Sequence, residues 1–324
     1  MILVTGGTGF IGRYIVERLL DAKEKVRIFS RQAEVRFLSR DRVATEAEHS
    51  GAEYFEGTIL EPKKLSDAMT GCDRVIHLVG IIRENGKQTF EKIHAEGTRN
   101  VVAAAKANGV RKIVHMSALG AKPNAASRYH QSKWDGEEAV RKSGLSYVIF
   151  RPSIVVGYED QFVNLLTKML KWSPGFVPVL GPGTAKLQPI SVVDVATCFV
   201  KAVLHDHVVN DAPPGGSESV DAKSEPLRSI LNKEYPLTGA NVLTLNDLLD
   251  MIMRIKKTKR IKIHIPIGAA TLLARIMEKV PGQPLNRDQL TMLLEDNIAD
   301  NSAMKADFGV KPRLLGEVIR GYLV

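Results

Sequence analysis

Residues 4–12 read VTGGTGFIG. Gly6, Gly9 and Gly12 stand three apart, after the apolar run MILVT and before the amphipathic stretch FIGRYIVERLLDA. Strand, glycine turn, then helix is the order of a phosphate-binding loop. Gly6 permits the tight turn, Gly9 lets the backbone approach a pyrophosphate, and Gly12 lets the helix lie against the strand. The first helical N–H groups and the positive end of the helix dipole then face the anion. Thr8, Phe10 and Ile11 complete the predicted loop. The competing reading is a glycine-rich turn without a ligand, and the flanking strand and helix weigh against it.

Outward from the loop, the first half alternates. KVRIFS, AEYFEG, CDRVIHLVG, VRKIVHMS and LSYVIFRPS read as further strands. EPKKLSDAMTG, TFEKIHAEGTRNVVAAAKANG and SRYHQSKWDGEEAVRKSG read as the helices between them. Strands separated by helix-length amphipathic segments predict βαβ units and a doubly wound parallel sheet. After Pro152 the rhythm breaks. FVNLLTKMLKW, VDVATCFVKAVL, TLNDLLDMIMRI (Thr244 as its N-cap) and IGAATLLARIMEKV read as helices, and KRIKIHIP as a strand. VPVLGPGTAKLQPIS reads as a loop. The expected fold is α/β: a dinucleotide-binding domain over 1–152 plus about 189–206, and a smaller, mostly helical C-terminal lobe over 153–188 plus about 235–324. Residues 207–234 are polar and rich in Pro, Gly and Ser, and read as an exposed insertion.

Composition narrows the function classes. The 324 residues, 44% of them apolar, suffice for one large or two medium domains. Two cysteines, Cys72 and Cys198, without metal-type spacing argue against a disulfide framework and for a reducing compartment. No secretory signal opens the chain and no apolar run approaches the ~18 residues that span a bilayer. The expected location is the cytoplasm, free or peripheral to a membrane. The net charge of +9 favours an acidic partner: a phosphorylated cofactor, nucleic acid or anionic lipid. With 6% aromatic residues and no nucleic-acid module, nucleic acid is the weakest of these.

Two further sites point to chemistry. At the end of RIFSRQ, where an NAD-preferring loop carries Asp or Glu, stand Ser30 and Arg31. An arginine there can hold a 2′-phosphate and no carboxylate repels it, so NADP is expected over NAD. The alternative is an exposed arginine with no ligand. Tyr129 and Lys133, four apart, share one helix face at the carboxyl end of the predicted sheet. The lysine charge would lower the phenol pKa, and the ammonium could hold ribose hydroxyls. Tyr129 could then exchange a proton with a substrate oxygen. Ser117, ending the fifth strand, is a candidate helper, or else a strand-end hydroxyl bonded to local backbone.

In order, TGGTGFIG, VIHLVG, GTRNVVAAAKANGVRKIVHMSA, Tyr129-x-x-x-Lys133, FRPSIVVG and PISVVDVA resemble the short-chain dehydrogenase/reductase superfamily. The branch is the extended or atypical one, of NAD-dependent epimerase/dehydratase-like proteins. The resemblance covers roughly the first 200 residues. HMSALGA, SRYHQSKWDGEE and LEDNIADNS are similar to the group of the complex I nucleotide-binding accessory subunit and its bacterial relatives. The resemblance implies a Rossmann fold with a dinucleotide lying across Gly6–Gly12. It implies contacts from Arg31, from Thr58 and Ile59 after Gly57 beside the adenine, and from Leu78, Val79 and Gly80. Lys133 would meet the ribose, and Pro152, Ser153 and Ile154 the nicotinamide end. Thr58 and His94 stand where the family usually has Asp and Asn, and the serine region lacks the usual serine run. These departures weigh against a standard epimerase or dehydratase more than against binding.

The leading expectation is an NADP-dependent oxidoreductase on a small or lipid-like molecule. The rival is a non-catalytic nucleotide-binding subunit of a membrane-associated redox assembly. The basic run Arg254, Lys256, Lys257, Lys259, Arg260 and Lys262 beside the apolar segment 267–280 suggests membrane or protein contact through 254–280. The favoured expectation there is a solvated strand, with the apolar helix in the lobe's core. His205, Asp206 and His207 have no third ligand nearby, so no metal site is expected.

Overall fold

The predicted strands of the first half assemble into one parallel sheet. A computed structural model of the chain describes residues 1–31, 51–173, 175–207, 229–277 and 286–324. In chain order the first half runs β1 (Ile2–Thr5), α1 (Phe10–Asp21), β2 (Val26–Ser30), β3 (Ala52–Glu56), α2 (Pro62–Met69) and β4 (Arg74–His77). A π-helical stretch, Glu91–Glu96, leads into α3 (Gly97–Ala107). Then come β5 (Lys112–Met116), α4 (Arg128–Arg141) and β6 (Ser146–Pro152). The second half contains β7 (Val155–Val156), α5 (Phe162–Trp172), β8 (Phe176–Leu180), β9 (Lys186–Leu187), β10 (Ile190–Ser191) and α6 (Val192–Leu204). After these follow β11 (Lys233–Leu237), β12 (Leu243–Thr244), α7 (Leu245–Ile255), β13 (Ile261–Ile265) and α8 (Ile267–Met277). The chain closes with α9 (Arg287–Leu294), α10 (Ser302–Phe308) and α11 (Leu315–Leu323).

The sheet order is β11-β6-β5-β4-β1-β2-β3, with every neighbour parallel. The order reverses between β1 and β4, and that reversal opens a crevice at the carboxyl ends of the strands. Alternate side chains go to opposite faces. Val4, Ile28, Ile76, Val114 and Phe150 meet α1 and α6 on one face. Leu3, Val75, Ile113 and Ile149 meet α2, α3 and α4 on the other. Helices cover both faces, so the strands read as nearly continuous apolar runs. A third core, with Val163, Leu166, Val179, Leu248, Ile252 and Ile319, holds the lobe together.

Several sequence expectations need correction. The presumed loop 177–191 carries β8, β9 and β10. Pro178 lies within β8, which among the described residues pairs only with β13 in a two-stranded sheet, and an edge position tolerates the missing N–H. The polar insertion ends earlier than expected: Ser229 bridges His207, and Lys233–Leu237 form the edge strand β11. Residues 208–228 lie outside the described ones. Met304 and Phe308 of α10 pack into the α1/α6 core with Tyr235, although their sequence position suggests the lobe. Finally, α8 is only partly buried: Ala270 and Ala274 are fully buried, whereas Ile267 is exposed and Leu272 is 61% exposed.

Candidate active site

The glycine loop is shaped for an anion. Gly6 has φ +77°, in the left-handed region, at the turn out of β1. A Cβ on Gly12 would stand 2.2 Å from the Gly6 carbonyl oxygen, so only glycine allows α1 this close. Gly9 caps α1 without a side-chain hydrogen bond, and the first turn holds no acidic residue. The first helical bond runs from Arg13 N to Gly9 O at 3.1 Å. The N–H groups of Phe10, Ile11 and Gly12 therefore have no acceptor within the helix. Gly9 is exposed and Thr8 half-buried. Both suit a pyrophosphate laid across the loop.

The other predicted contacts surround the same crevice. A Cβ on Gly6 would lie 3.3 Å from Val79 N, so the loop adjoins the end of β4. Gly80 is exposed, Val79 half-buried, and the Leu78 side chain goes into the core. Ser30 ends β2, and exposed Arg31 follows it. Thr58 Oγ1 accepts from Leu60 N, and Glu61 accepts from Thr58 N. The Ile59 side chain is buried against Gly97, which leaves only its backbone to face a ligand.

Lys133 and Tyr129 do share a face of α4, whose N-cap is Ser127. The Lys133 ammonium donates to Met116 O at 2.6 Å and sits over Gly80, 3.8 Å from where a Cβ would be. Burial holds its pKa down at about 8, although Glu137 pulls the other way. Tyr129 corrects an expectation. Its pKa is pushed up to about 12, by burial and then by the Asp288 carboxylate, rather than down by Lys133. Asp288, on α9, accepts from Ser127 Oγ, Arg128 N and Tyr129 N at 3.1, 2.7 and 3.1 Å. It thereby caps the amino end of α4 from the other lobe. Ser117 is buried, and its hydroxyl has no partner among the described residues.

Three neutral histidines lie beside Lys133. His94 Nε2 accepts from Ile81 N at 2.9 Å, so the proton is on Nδ1 and is donated to Ser132 Oγ at 2.8 Å. Ser132 Oγ donates in turn to Tyr129 O at 2.8 Å. Thr98 gives its hydroxyl proton to His94 O, so it accepts from His77 Nε2–H at 3.1 Å. Thr5 Oγ1 then donates to His77 Nδ1 at 2.7 Å. His115 stacks on His77 with ring centroids 5.2 Å apart, and neither of its nitrogens has a partner among the described residues. Burial first, and the Lys133 charge second, lower His77 to about 3 and His94 to about 2, and take His115 well below its ordinary range. His94, out of pattern in the family resemblance, thus ties the π-helical stretch to the backbone of α4.

Tyr129 stands on the wall of a cavity of about 610 Å3. Ala118, Leu119, Pro152 and Ile154 bound it on the sheet side, and Phe162, Leu166, Leu180, Leu249 and Met292 on the lobe side. The polar lining includes Ser153, which donates to Asn297 Oδ1 at 2.5 Å. Sequence reasoning missed Asp288, Asn297 and the histidine pair. The one available signal was local: Asn286 and Gln289 form a capping box that announces α9. Elsewhere, Asp206 pairs with Lys112, and among the described residues no three His, Cys, Asp or Glu gather to hold a metal ion.

The NAD dependent epimerase/dehydratase family matches residues 2–212. The chain belongs to that family. Across 99% of its length it is 28% identical to the mitochondrial NADH dehydrogenase [ubiquinone] 1 alpha subcomplex subunit 9 of Arabidopsis thaliana, spanning 75% of that protein. A ceramide reductase of Caulobacter vibrioides is 31% identical over 200 residues, 62% of this chain and 60% of that one. The UDP-glucose 4-epimerase of Thermotoga maritima has the same fold, with a TM-score of 0.70 at 20% identity over 99% of this chain and 97% of that one. The family member is thus a Rossmann protein that binds a nicotinamide dinucleotide. Among the described residues no helix is long and apolar enough to cross a membrane.

Proposed function

We propose that the protein is an NADP(H)-dependent oxidoreductase that reduces a carbonyl, or oxidises the matching alcohol, on a largely apolar molecule. The observation that carries this reading is Tyr129: a protonated phenol one helical turn from a buried lysine, on the wall of an apolar cavity at the carboxyl ends of β5 and β6. A bound nicotinamide cofactor supplies the hydride. Tyr129 gives its proton to the carbonyl oxygen, a role that a phenol protonated at neutral pH can fill. Lys133 holds the ribose hydroxyls of the cofactor. The unpartnered Ser117 hydroxyl completes the donor set for the substrate oxygen. Arg31, with Ser30 beside it, favours the 2′-phosphate of NADP over the free hydroxyl of NAD. The cavity walls favour a lipid-like substrate over a sugar nucleotide, whose phosphates need cations. The ceramide reductase relative is consistent with that choice.

A second reading has its own support. A relative that aligns along nearly the whole chain is a subunit of NADH dehydrogenase [ubiquinone], and in that reading a dinucleotide bound to this chain serves structure rather than turnover. The two readings separate in one experiment: nucleotide is extracted from the purified protein, and NADPH absorbance is followed with aldehydes and ketones of increasing chain length. Turnover that rises with chain length and is lost in Tyr129→Phe supports the oxidoreductase. Tight binding without turnover on any of them supports the subunit. Preference for NADH would remove the role given to Arg31.

A further inference from the structure

The two-stranded sheet of β8 and β13 has two unlike faces. On one, Val177 and Val179 are buried in the lobe core. On the other, alternate residues pair across the strands: Phe176 with Ile261, Pro178 with Ile263, Leu180 with Ile265. Pro178, Leu180 and Ile265 line the cavity that holds Tyr129. Phe176, Ile261 and Ile263, at the other end of the same rows, are exposed, Ile261 by 73%. An unbroken apolar row therefore runs from the protein surface to the cavity wall.

The outer end of this row does not look like ordinary surface. Trp172, at the end of α5, is 83% exposed, and Ile267 and Leu272 of α8 add to the apolar area. The Arg260 guanidinium donates to Ser173 O, which joins the basic segment to Trp172. Beside it a basin of about 780 Å3 is bounded by Arg254, Lys257, Lys259 and Arg260, with Asp247 and Asp250 as its acids. Asp247 is engaged by the Thr244 cap and Asp250 by Lys262. Arg254, Lys257 and Lys259 make no ion pair among the described residues. Exposed aliphatic groups and a tryptophan rimmed by lysine and arginine are what an anionic bilayer surface holds. Protein–protein interfaces are depleted of lysine relative to the rest of the surface.

We propose that this face docks on an anionic lipid bilayer, and that the β8–β13 row is the path by which a lipid chain passes from the bilayer to the cavity. The path rests on the substrate reading given above; the docking does not. The experiment sediments the protein with phosphatidylcholine vesicles, with and without phosphatidylglycerol. Wild type is expected to bind the anionic vesicles, less so at higher salt, and to leave pure phosphatidylcholine alone. Trp172→Ser with Ile261→Ser, and separately Lys257→Glu with Lys259→Glu, should each weaken binding about tenfold or more. Both variants should keep the thermal midpoint and the NADPH affinity of wild type.

Docking is overturned if wild type ignores anionic vesicles, if both variants bind as well as wild type, or if pure phosphatidylcholine binds equally. Self-association through Trp172 without vesicle binding also overturns it, and assigns the face to a protein partner. Vesicle binding with no turnover of any carbonyl overturns the oxidoreductase reading alone. The path has its own variant: Ile263→Glu should slow turnover of a vesicle-borne long-chain aldehyde and spare a short soluble one. Equal rates on both would overturn the path.

Discussion

The two faces of the central sheet are built from different chemistry. Against α1 and α6, Phe150 packs on Phe199, Tyr235 and Phe308 in an apolar core. Against α3 and α4, the carboxyl ends of the strands present His77, His115, Ser117 and Arg151. Lys133 and Glu137 meet them from α4, with Glu137 fully buried between Arg141 and Arg151. One face supplies stability through packing. The other also packs, through Leu3, Val75, Ile113 and Ile149, but adds a polar layer at the carboxyl ends of its strands, and the proposed chemistry sits at the rim of that layer.

Two substitutions, one on each face, should break that contrast with the largest stability effects. Phe150→Ala leaves a cavity and should cost about 3–5 kcal/mol. Glu137→Ala removes the buried carboxylate that Arg141 and Arg151 share and leaves both guanidiniums on Glu234, and should cost about 1.5–3 kcal/mol in denaturant melts. Only Glu137→Ala should also move Lys133, because Glu137 is the charge that raises the lysine pKa. NADPH affinity measured across pH should decline as Lys133 loses its proton near 8, and Glu137→Ala should shift that decline to lower pH. An unchanged profile would mean that Glu137 only packs.

The histidines predict a smaller, pH-dependent difference. An unfolded histidine titrates near 6.5. Folded His77, His94 and His115 stay neutral to about 3, about 2 and well below the ordinary range. Below 6.5 the unfolded chain gains protons that the folded chain refuses. Stability should therefore fall with falling pH, by about 1.4 kcal/mol per unit for each histidine. His115→Leu should remove one such contribution and flatten the slope between pH 6 and 4. Phe150→Ala should lower the whole curve without changing that slope.

Smallest of all is the cap on α4. Asp288→Ala should cost about 1 kcal/mol. It should also bring the Tyr129 phenol down from its raised pKa, because Asp288 is one of the two causes that lift it. Ultraviolet difference titration of the phenol reads this directly.

Legibility in the sequence followed distance along the chain. The glycine loop is nine contiguous residues, and the strand–helix alternation is a local period, so both were readable. Tyr129 and Lys133 were readable because a helix converts a spacing of four into adjacency. In VIHLVG and KIVHMS the two histidines look like ordinary strand residues, and only the register His77 to His115 brings them together. Asp288 lies 159 residues from Tyr129 and carries no motif. Strand β11 follows a polar insertion and contains Pro236, both of which argue against a strand until its edge position is known. The helix α8 reads as core because it is apolar, and the exposure of Ile267 and Leu272 opposite buried Ala270 and Ala274 became visible only in three dimensions.

The central claim is that Tyr129 moves a proton. Its direct test is the rate of NADPH oxidation with a long-chain aldehyde, wild type against Tyr129→Phe, with NADPH affinity measured in parallel. The account predicts that kcat falls about 10²- to 10⁴-fold while the affinity stays within about twofold. Equal rates in the two proteins would contradict it.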